Sequence, residues 1–337
     1  MRTFSLSRAP WIWGFLAALC AWIWIFLVSG QGAGQTMSLA LSLAPYLVLV
    51  AIGQMLVITV GPGNIDVAVG PVIALSGFVS VGTTFTTGSV PLGLAAGMGA
   101  GMAVAVVSII AILWLAVPPI VATLAAGLMA SSVTLALNTN FTAYASSGLR
   151  SFLDLRPWGI PLIAVVVAAI TALVALVLRA TVPGRELLAV GQNRRAAERA
   201  GIGTERVVAI AYLASGALSG LAGSLLAAYI LPSPEIGGNY LLDSIAVVVV
   251  GGTLLSGGRA VPLGIWGGAL FFILLEGLLS FIGWNLAGQD VLKGILLLLV
   301  LSLATGETTS GKRRLRIGKL AGASSPAGSR DAGGSNA

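Results

Sequence analysis

Residues 39–66 read LALSLAPYLVLVAIGQMLVITVGPGNID, and they combine a long apolar run with an abrupt end. The run 39–60 contains no charged residue, and its length suffices for a helix that crosses a bilayer, which takes about 20 residues. Gly61-Pro62-Gly63 cannot continue a regular helix, because proline lacks a backbone donor and glycine favours other backbone angles. The stretch predicts a membrane-spanning helix followed by a non-helical break.

The rest of the chain has the same apolar character. Of its 337 residues, 57% are hydrophobic and only 9% are charged, whereas a soluble domain carries about 25% charged residues. The mean hydropathy is +1.00. We therefore expect an all-α fold, a polytopic transmembrane helix bundle of about ten spans (eight to ten). The predicted spans are 11–28, 39–60, 67–86, 91–116, 120–137, 160–178, 207–230, 241–255, 261–282 and 291–305. The third and eighth are short and rich in glycine, so either could be re-entrant or broken.

Lysine and arginine residues predict the orientation, because they concentrate in cytoplasmic loops. With ten spans, 15 of the 18 basic residues fall on the side of the N-terminus, which is therefore predicted to be cytoplasmic together with the C-terminus. Six of these arginines lie in the loop 179–206. We expect a single membrane domain over 1–305, followed by a basic, disordered tail over 306–337.

Several kinds of chemistry are excluded by composition. The chain has no histidine and one cysteine, Cys20, so it has no histidine-based catalytic relay, histidine-ligated metal or intrachain disulfide. Its 11 acidic residues form no cluster typical of a metal site. The pattern GxxxxGK[ST] of a phosphate-binding loop is absent. The chain is not expected to be an enzyme, to carry its own ATPase site or to hold a cofactor or metal.

The break after the second span carries polar side chains at membrane depth. Asn64 and Asp66 follow the Gly-Pro-Gly turn, and Gln54 lies just upstream of it. Irregular backbone inside a membrane protein must be buried in protein or line a water-filled cavity. The segment is interpreted as part of a solute pathway. For Asp66 alone, the alternative is an N-cap of the next helix.

The loop 179–206 is the longest polar segment within the membrane domain. It carries six arginines and three acidic residues around alanines, which predicts a short helix with small faces. Small residues beside charge are typical of a segment that docks into a groove on a partner. The alternative is a loop that only fixes topology.

Three segments, in this order, resemble the permease subunits of ABC importers for simple sugars, the ribose-type family, and are more distantly similar to branched-chain amino acid permeases. They are 63–70 (GNIDVAVG), 189–193 (AVGQN) and 243–259 (DSIAVVVVGGTLLSGGR), and the similarity covers about residues 40–305. The chain departs from the family pattern at Asn64 and Ala68, which replace a common Gly and Ser. Another departure is Arg195, which stands where a Glu is expected.

The resemblance implies one of two permease subunits of an importer in a bacterial inner membrane. A separate cytoplasmic P-loop ATPase would dock on the loop 179–206, and a periplasmic or surface binding protein would deliver the solute. The residues implied for ATPase docking are Gly191, Gln192, Asn193, Arg194, Arg195, Ala196, Ala197 and Gly201. The residues expected along the solute pathway are Gln54, Asn64, Asp66, Ser76 and Thr253.

Some alternatives stay open at this stage. The scarcity of intramembrane charge favours a neutral solute, but pentose, hexose, polyol, autoinducer sugar and nucleoside all fit. The permease pair could be a homodimer or a heterodimer. An ion-gradient-driven secondary transporter is the alternative function, with Asp66 or Glu276 as a proton site. The segments 39–137 and 207–305 could also form an inverted repeat of helices 2–5 and 7–10.

Overall fold

The computed structural model describes residues 11–29 and 33–299, which fold into helices joined by turns and short loops. The predicted helical membrane bundle is confirmed, since eight of the described helices are long and apolar enough to cross a bilayer. No strand occurs in the described part of the chain. This bundle is the first of two compact units, Met1–Gly294; the second, Ile295–Ala337, is described only over the helical residues 295–299.

The helices follow one another with few long connections. They are α1 (Trp11–Ser29), α2 (Ala33–Thr59), α3 (Val69–Thr87), α4 (Val90–Leu113), α5 (Pro119–Asn138), α6 (Ser147–Asp154), α7 (Leu162–Ala180), α8 (Val182–Gln192), α9 (Arg194–Arg199), α10 (Thr204–Tyr229), α11 (Tyr240–Val250), α12 (Pro262–Phe281) and α13 (286–299). A 3₁₀ turn, Pro157–Gly159, lies between α6 and α7.

The predicted spans agree with the helices to within three residues, except at the second span, where α2 begins six residues earlier than predicted, and at the eighth and tenth. The eighth prediction, 241–255, is too long: α11 has 11 residues, about 16 Å of helix, and ends at a Gly251–Gly252 turn. The third span is an uninterrupted helix of 19 residues. The tenth prediction, 291–305, runs past residue 299, where the described residues end. The proposed tail 306–337 and residues 1–10 lie wholly outside the described residues.

Helix α10 lies at the centre of the bundle, where it packs against α2, α3 and α4. Glycines make this packing close. A Cβ atom added at Gly101 of α4 would lie 2.1 Å from the carbonyl oxygen of Gly216, and one added at Gly220 would lie 2.6 Å from that of Gly97. Lipid tails are as apolar as leucine, so membrane helices associate through such close backbone approach rather than through hydrophobic burial.

Helices α2 and α10 run antiparallel. Gly53 of α2 contacts Ser215, and the ring of Tyr46, two turns earlier, lies 5.8 Å from the ring of Tyr229 near the end of α10. Consequently the breaks that follow these two helices leave from opposite ends of the bundle. Helix α10 packs on α3 and α4 of the first proposed repeat. In the same way, α2 packs on α11 and α12 of the second. This correspondence supports the inverted repeat of helices 2–5 and 7–10, here α2–α5 and α10–α13.

The glycine contact between α4 and α10 yields a stability prediction. We expect Gly101→Ala to destabilise the bundle by about 1–3 kcal/mol, because the new methyl group overlaps the Gly216 carbonyl. Gly99→Ala on the same helix is the control, since a Cβ there meets no atom within 4 Å. Thermal unfolding of the two purified variants in detergent measures the difference. Equal melting temperatures would contradict the close packing.

Candidate functional site

The backbone leaves helical geometry between Thr59, where α2 ends, and Val69, where α3 begins. We call residues 60–68 the first break. Gly61 and Gly63 have φ values of 145° and 83°, which side chains rarely permit. The Gly-Pro-Gly sequence therefore ends α2, as predicted.

The polar residues of the first break are tied to α10. The Asp66 carboxylate is buried, and its Oδ2 accepts a hydrogen bond of 2.8 Å from the Ser215 hydroxyl. The Tyr212 hydroxyl donates to Asn64 Oδ1 at 3.3 Å. The two side chains at the break thus fix a non-helical segment to the central helix.

Asp66 is not the N-cap of α3, so that alternative is wrong. The N-cap position is Ala68, and Asp66 Oδ1 accepts from the Ala68 N–H at 3.1 Å, two residues along the chain. A carboxylate in this arrangement stabilises a turn rather than a helix end. Sequence reasoning also missed Thr123 of α5, whose hydroxyl accepts from the Val67 N–H at 3.1 Å.

A second irregular segment approaches the first from the other end of the bundle. We call residues 230–239, between α10 and α11, the second break. Its Gly237 touches Gly70 in the first turn of α3, where a Cβ on Gly237 would lie 2.1 Å from the Gly70 carbonyl oxygen. Residues from both breaks and from α5, including Val67, Thr134 and Glu235, line a cavity of about 250 Å³. The second break therefore reaches the start of α3, beside a cavity that residues of both breaks line.

Three charged residues from α11, α12 and α13 form a buried cluster. Lys293 Nζ lies 3.1 Å from Asp243 Oδ2 and also contacts Glu276 Oε1. Asp243 and Lys293 are buried, whereas Glu276 is partly exposed. Sequence reasoning did not connect these three residues. The cluster holds the short α11 in place through charge as well as packing.

Two further cavities adjoin this charged cluster. One, of about 700 Å³, extends to α1 and α2, and the other, of about 340 Å³, reaches the second break. They share Asn239 and Glu276, and Glu235 lines the smaller one. Within the described residues, no group of three or more acidic residues, cysteines or histidines is placed to hold a metal ion.

The other residues expected along the solute pathway are buried between helices. Gln54 is fully buried on α2, and neither amide atom has a hydrogen-bond partner in the described part of the chain. Ser76 donates to Val72 and Ile73 of its own helix. The Thr253 hydroxyl accepts from the Val261 N–H at 3.2 Å, which supports the turn before α12. Their contact with solute stays a prediction, as it does for Asn64 and Asp66.

The arginine-rich loop forms two short helices, α8 and α9, rather than one. Asn193 separates them, because its Oδ1 accepts from the Ala196 N–H at 3.1 Å and caps α9. Gly201, at φ 82°, ends the turn that follows α9. Gly191 and Ala197 are buried, whereas the other residues implied for docking are exposed: Gln192, Asn193, Arg194, Arg195, Ala196 and Gly201.

An exposed ion pair stiffens α9. Arg194 Nε donates to Glu198 Oε1 at 3.0 Å, and the Thr204 hydroxyl donates to the same oxygen at 3.0 Å. These two hydrogen bonds lower the pKa of the Glu198 carboxyl. Arg195 and Arg199 are exposed and form no ion pair of this kind in the described residues, so the surface of α9 carries net positive charge.

Comparison of the sequence with known proteins assigns the chain to a family. The family model described as branched-chain amino acid transport system / permease component matches residues 36–301. The chain is 30% identical over 259 residues to the ribose import permease protein RbsC of Escherichia coli K12, covering 74% of this chain and 79% of the relative. The corresponding protein of Bacillus subtilis 168 is 32% identical over 265 residues, with 76% and 80% covered.

A further relative aligns over nearly its whole length. The autoinducer 2 import system permease protein LsrC of Salmonella paratyphi B is 30% identical over 315 residues, covering 92% of this chain and 90% of the relative. No solved structure matches the chain significantly. Since the family model spans most of the membrane domain and these relatives align over most of both chains, the chain belongs to the branched-chain amino acid transport system / permease component family.

Proposed function

We propose that the chain is the membrane permease subunit of an ABC importer for a simple sugar or a related neutral polar solute. The observation that carries this proposal is the alignment of 74–92% of the chain with import permeases for ribose and autoinducer 2. The chain lacks a phosphate-binding loop sequence, so a separate P-loop ATPase supplies the energy. A solute-binding protein outside the membrane delivers the solute.

The charge distribution supports a neutral solute. No charged residue other than Asp66 lies between Arg8 and Arg150, and Asp66 is hydrogen-bonded to Ser215. Lys293, in turn, is engaged by two carboxylates. Membrane sites for ions present charged groups to the pathway, whereas sugars need mainly hydrogen-bond donors and acceptors.

The proposed pathway runs where the two breaks meet. Gln54, Asn64, Asp66, Ser76 and Thr253 are proposed to shape it. The cavity residue Asn239 adds an amide oxygen that can accept from solute hydroxyls. The alternative, an ion-gradient-driven transporter, would use Asp66 or Glu276 as a proton site.

The proposed assembly has the α8–α9 end in the cytoplasm. Six arginines in 179–206 and the basic tail favour cytoplasmic termini in a bacterial inner membrane. The ATPase docks on α8 and α9 through the exposed residues Gln192, Asn193, Arg194, Arg195, Ala196 and Gly201, and the buried Gly191 and Ala197 support this surface from the bundle side. A second permease subunit, identical or related, completes the pair. The membrane domain is proposed to span 1–305, with 306–337 as a tail.

Copurification tests the proposal directly. Gentle extraction of the tagged chain from its host is expected to bring a stoichiometric P-loop ATPase with it. Uptake by the reconstituted complex should then require ATP and should resist ionophores. A chain that purifies alone and moves solute without ATP would overturn the proposal in favour of a gradient-driven transporter.

Reversing charge on α9 tests its role in docking. We expect the triple variant Arg194→Glu, Arg195→Glu and Arg199→Glu to reduce ATPase copurification at least tenfold, because three exposed positive charges become repulsive or unpaired. Arg156→Glu is the control, since Arg156 is also exposed but lies outside 179–206. The size-exclusion profile of each variant reports whether the bundle stays intact. Unchanged docking in the triple variant would remove α9 from the interface.

The hydrogen bond between Asp66 and Ser215 yields a prediction for transport. Asp66→Ala removes both accepted hydrogen bonds and takes this partner from the Ser215 hydroxyl and the Ala68 N–H, whereas an asparagine could still donate to the Ser215 oxygen. A bond to a charged group contributes about 1.5–3 kcal/mol, so we expect at least a tenfold loss of uptake per chain in the membrane. Ser132→Ala is the control, since that exposed hydroxyl bonds only within α5. ATP-dependent uptake, with ribose as the first solute, measures both.

A further inference from the structure

Three backbone segments meet at the end of α8 without intervening side chains. A Cβ atom at Gly191 would lie 1.9 Å from the Thr59 carbonyl oxygen and 2.4 Å from the Gly258 nitrogen. The Gly258 N–H donates to that same Thr59 oxygen at 2.9 Å. We call Gly191, Thr59 and Gly258 the glycine junction.

The third segment of the junction has a backbone that only glycine adopts readily. Gly257 and Gly258 have φ values of 84° and 75°. A Cβ at Gly257 would lie 2.6 Å from the Gly61 Cα atom, so this turn also touches the first break. The Gln192 Nε2 donates to the Gly258 carbonyl at 3.4 Å, which adds a side-chain bond from α8.

Each member of the junction lies on a segment that connects along the chain to a different functional element. Gly191 lies two residues before Asn193, which caps the exposed helix α9. Thr59 ends α2 and leads into the first break with its buried Asp66. Gly258 follows α11, which carries Asp243 of the charged cluster and begins at the second break.

A backbone contact of this kind passes the movement of one segment on to the segments that it touches. A flexible side chain between two helices can change rotamer and absorb a shift, whereas close-packed backbone atoms cannot. Movement of α8 toward the bundle must therefore displace Thr59 and Gly258, and movement away pulls on Gly258 through its hydrogen bond to Gln192. Since those residues are bonded to each other, the two breaks respond together.

We propose that the glycine junction is the relay through which the ATPase, bound at α8 and α9, moves both breaks of the solute pathway. Gly191, Thr59 and Gly258 act as positioning residues, since they touch neither solute nor nucleotide. This inference rests on the proposed function of α8 and α9 as the docking site. It adds the connection between that site and the pathway.

The test measures how accessible each break is to a cysteine-reactive reagent. It does not require the solute to be known. In a Cys20→Ser background, Val67→Cys reports on the first break and Glu235→Cys on the second, since both residues line the cavity between the breaks. The rate of maleimide labelling is measured in the complex with its ATPase, with and without ATP plus vanadate. For the unaltered junction we expect the rate to change at least threefold at both positions.

The decisive variant is Gly191→Ala, which pushes α8 about 1 Å away from Thr59. We expect the ATPase to stay bound and hydrolyse ATP, while labelling at both positions no longer responds to nucleotide. Gly203→Ala is the matched control in the same loop. Its Cβ would meet only Arg206 at an ordinary 3.9 Å, and its φ of −72° suits alanine.

Gln192→Ala provides a second variant that adds no atoms. Removing the hydrogen bond to Gly258 is expected to reduce the nucleotide-dependent change in labelling rate at both positions by about half or more. If Gly191→Ala does not fold, a normal response in Gln192→Ala overturns the proposal.

The remaining outcomes separate the relay from the proposed function. A normal response in folded Gly191→Ala overturns the relay, as does loss of ATPase binding, which would make Gly191 part of the docking surface itself. Failure of the proposed function looks different. In that case either no ATPase copurifies, or nucleotide leaves the labelling rate unchanged in every variant, including the one with an unaltered junction.

Discussion

Backbone that leaves its helix inside a bilayer must find hydrogen-bond partners in the protein, and this constraint organises the bundle. At the first break the partners come from two neighbouring helices. Ser215 and Tyr212 of α10 hold the Asp66 and Asn64 side chains, and Thr123 of α5 accepts from the Val67 N–H. The central position of α10, with its line of small residues, makes these contacts possible. Close glycine packing and the partners of the irregular backbone therefore occur on the same helix, α10.

The apolar spans and the first break were predictable because each depends on local sequence. Runs without charge locate the helices, and Gly-Pro-Gly ends α2. The short α11 was harder to predict, since residues 251–255 after its end are as apolar as a continuing span. The split between α8 and α9 had a readable signal, the capping residue Asn193.

The charged cluster and the second break could not be predicted because they depend on tertiary contact. Lys293 is 50 residues from Asp243 and 17 from Glu276, and no periodic pattern connects the three. Likewise, nothing in the sequence of residues 230–239 indicates that Gly237 reaches Gly70. All the docking residues proposed on α8 and α9 come from the sequence. The buried position of Gly191, however, gives it a contact that the sequence alone did not suggest.

The contact between Gly237 and Gly70 also restricts which residues the chain can carry after α10. A Cβ atom on Gly237 would lie 2.1 Å from the Gly70 carbonyl oxygen in the first turn of α3. Any larger residue at position 237 would therefore push the second break away from α3. The connection after α10 is thus limited to one residue type by a helix from the other half of the bundle, although loops usually tolerate substitution.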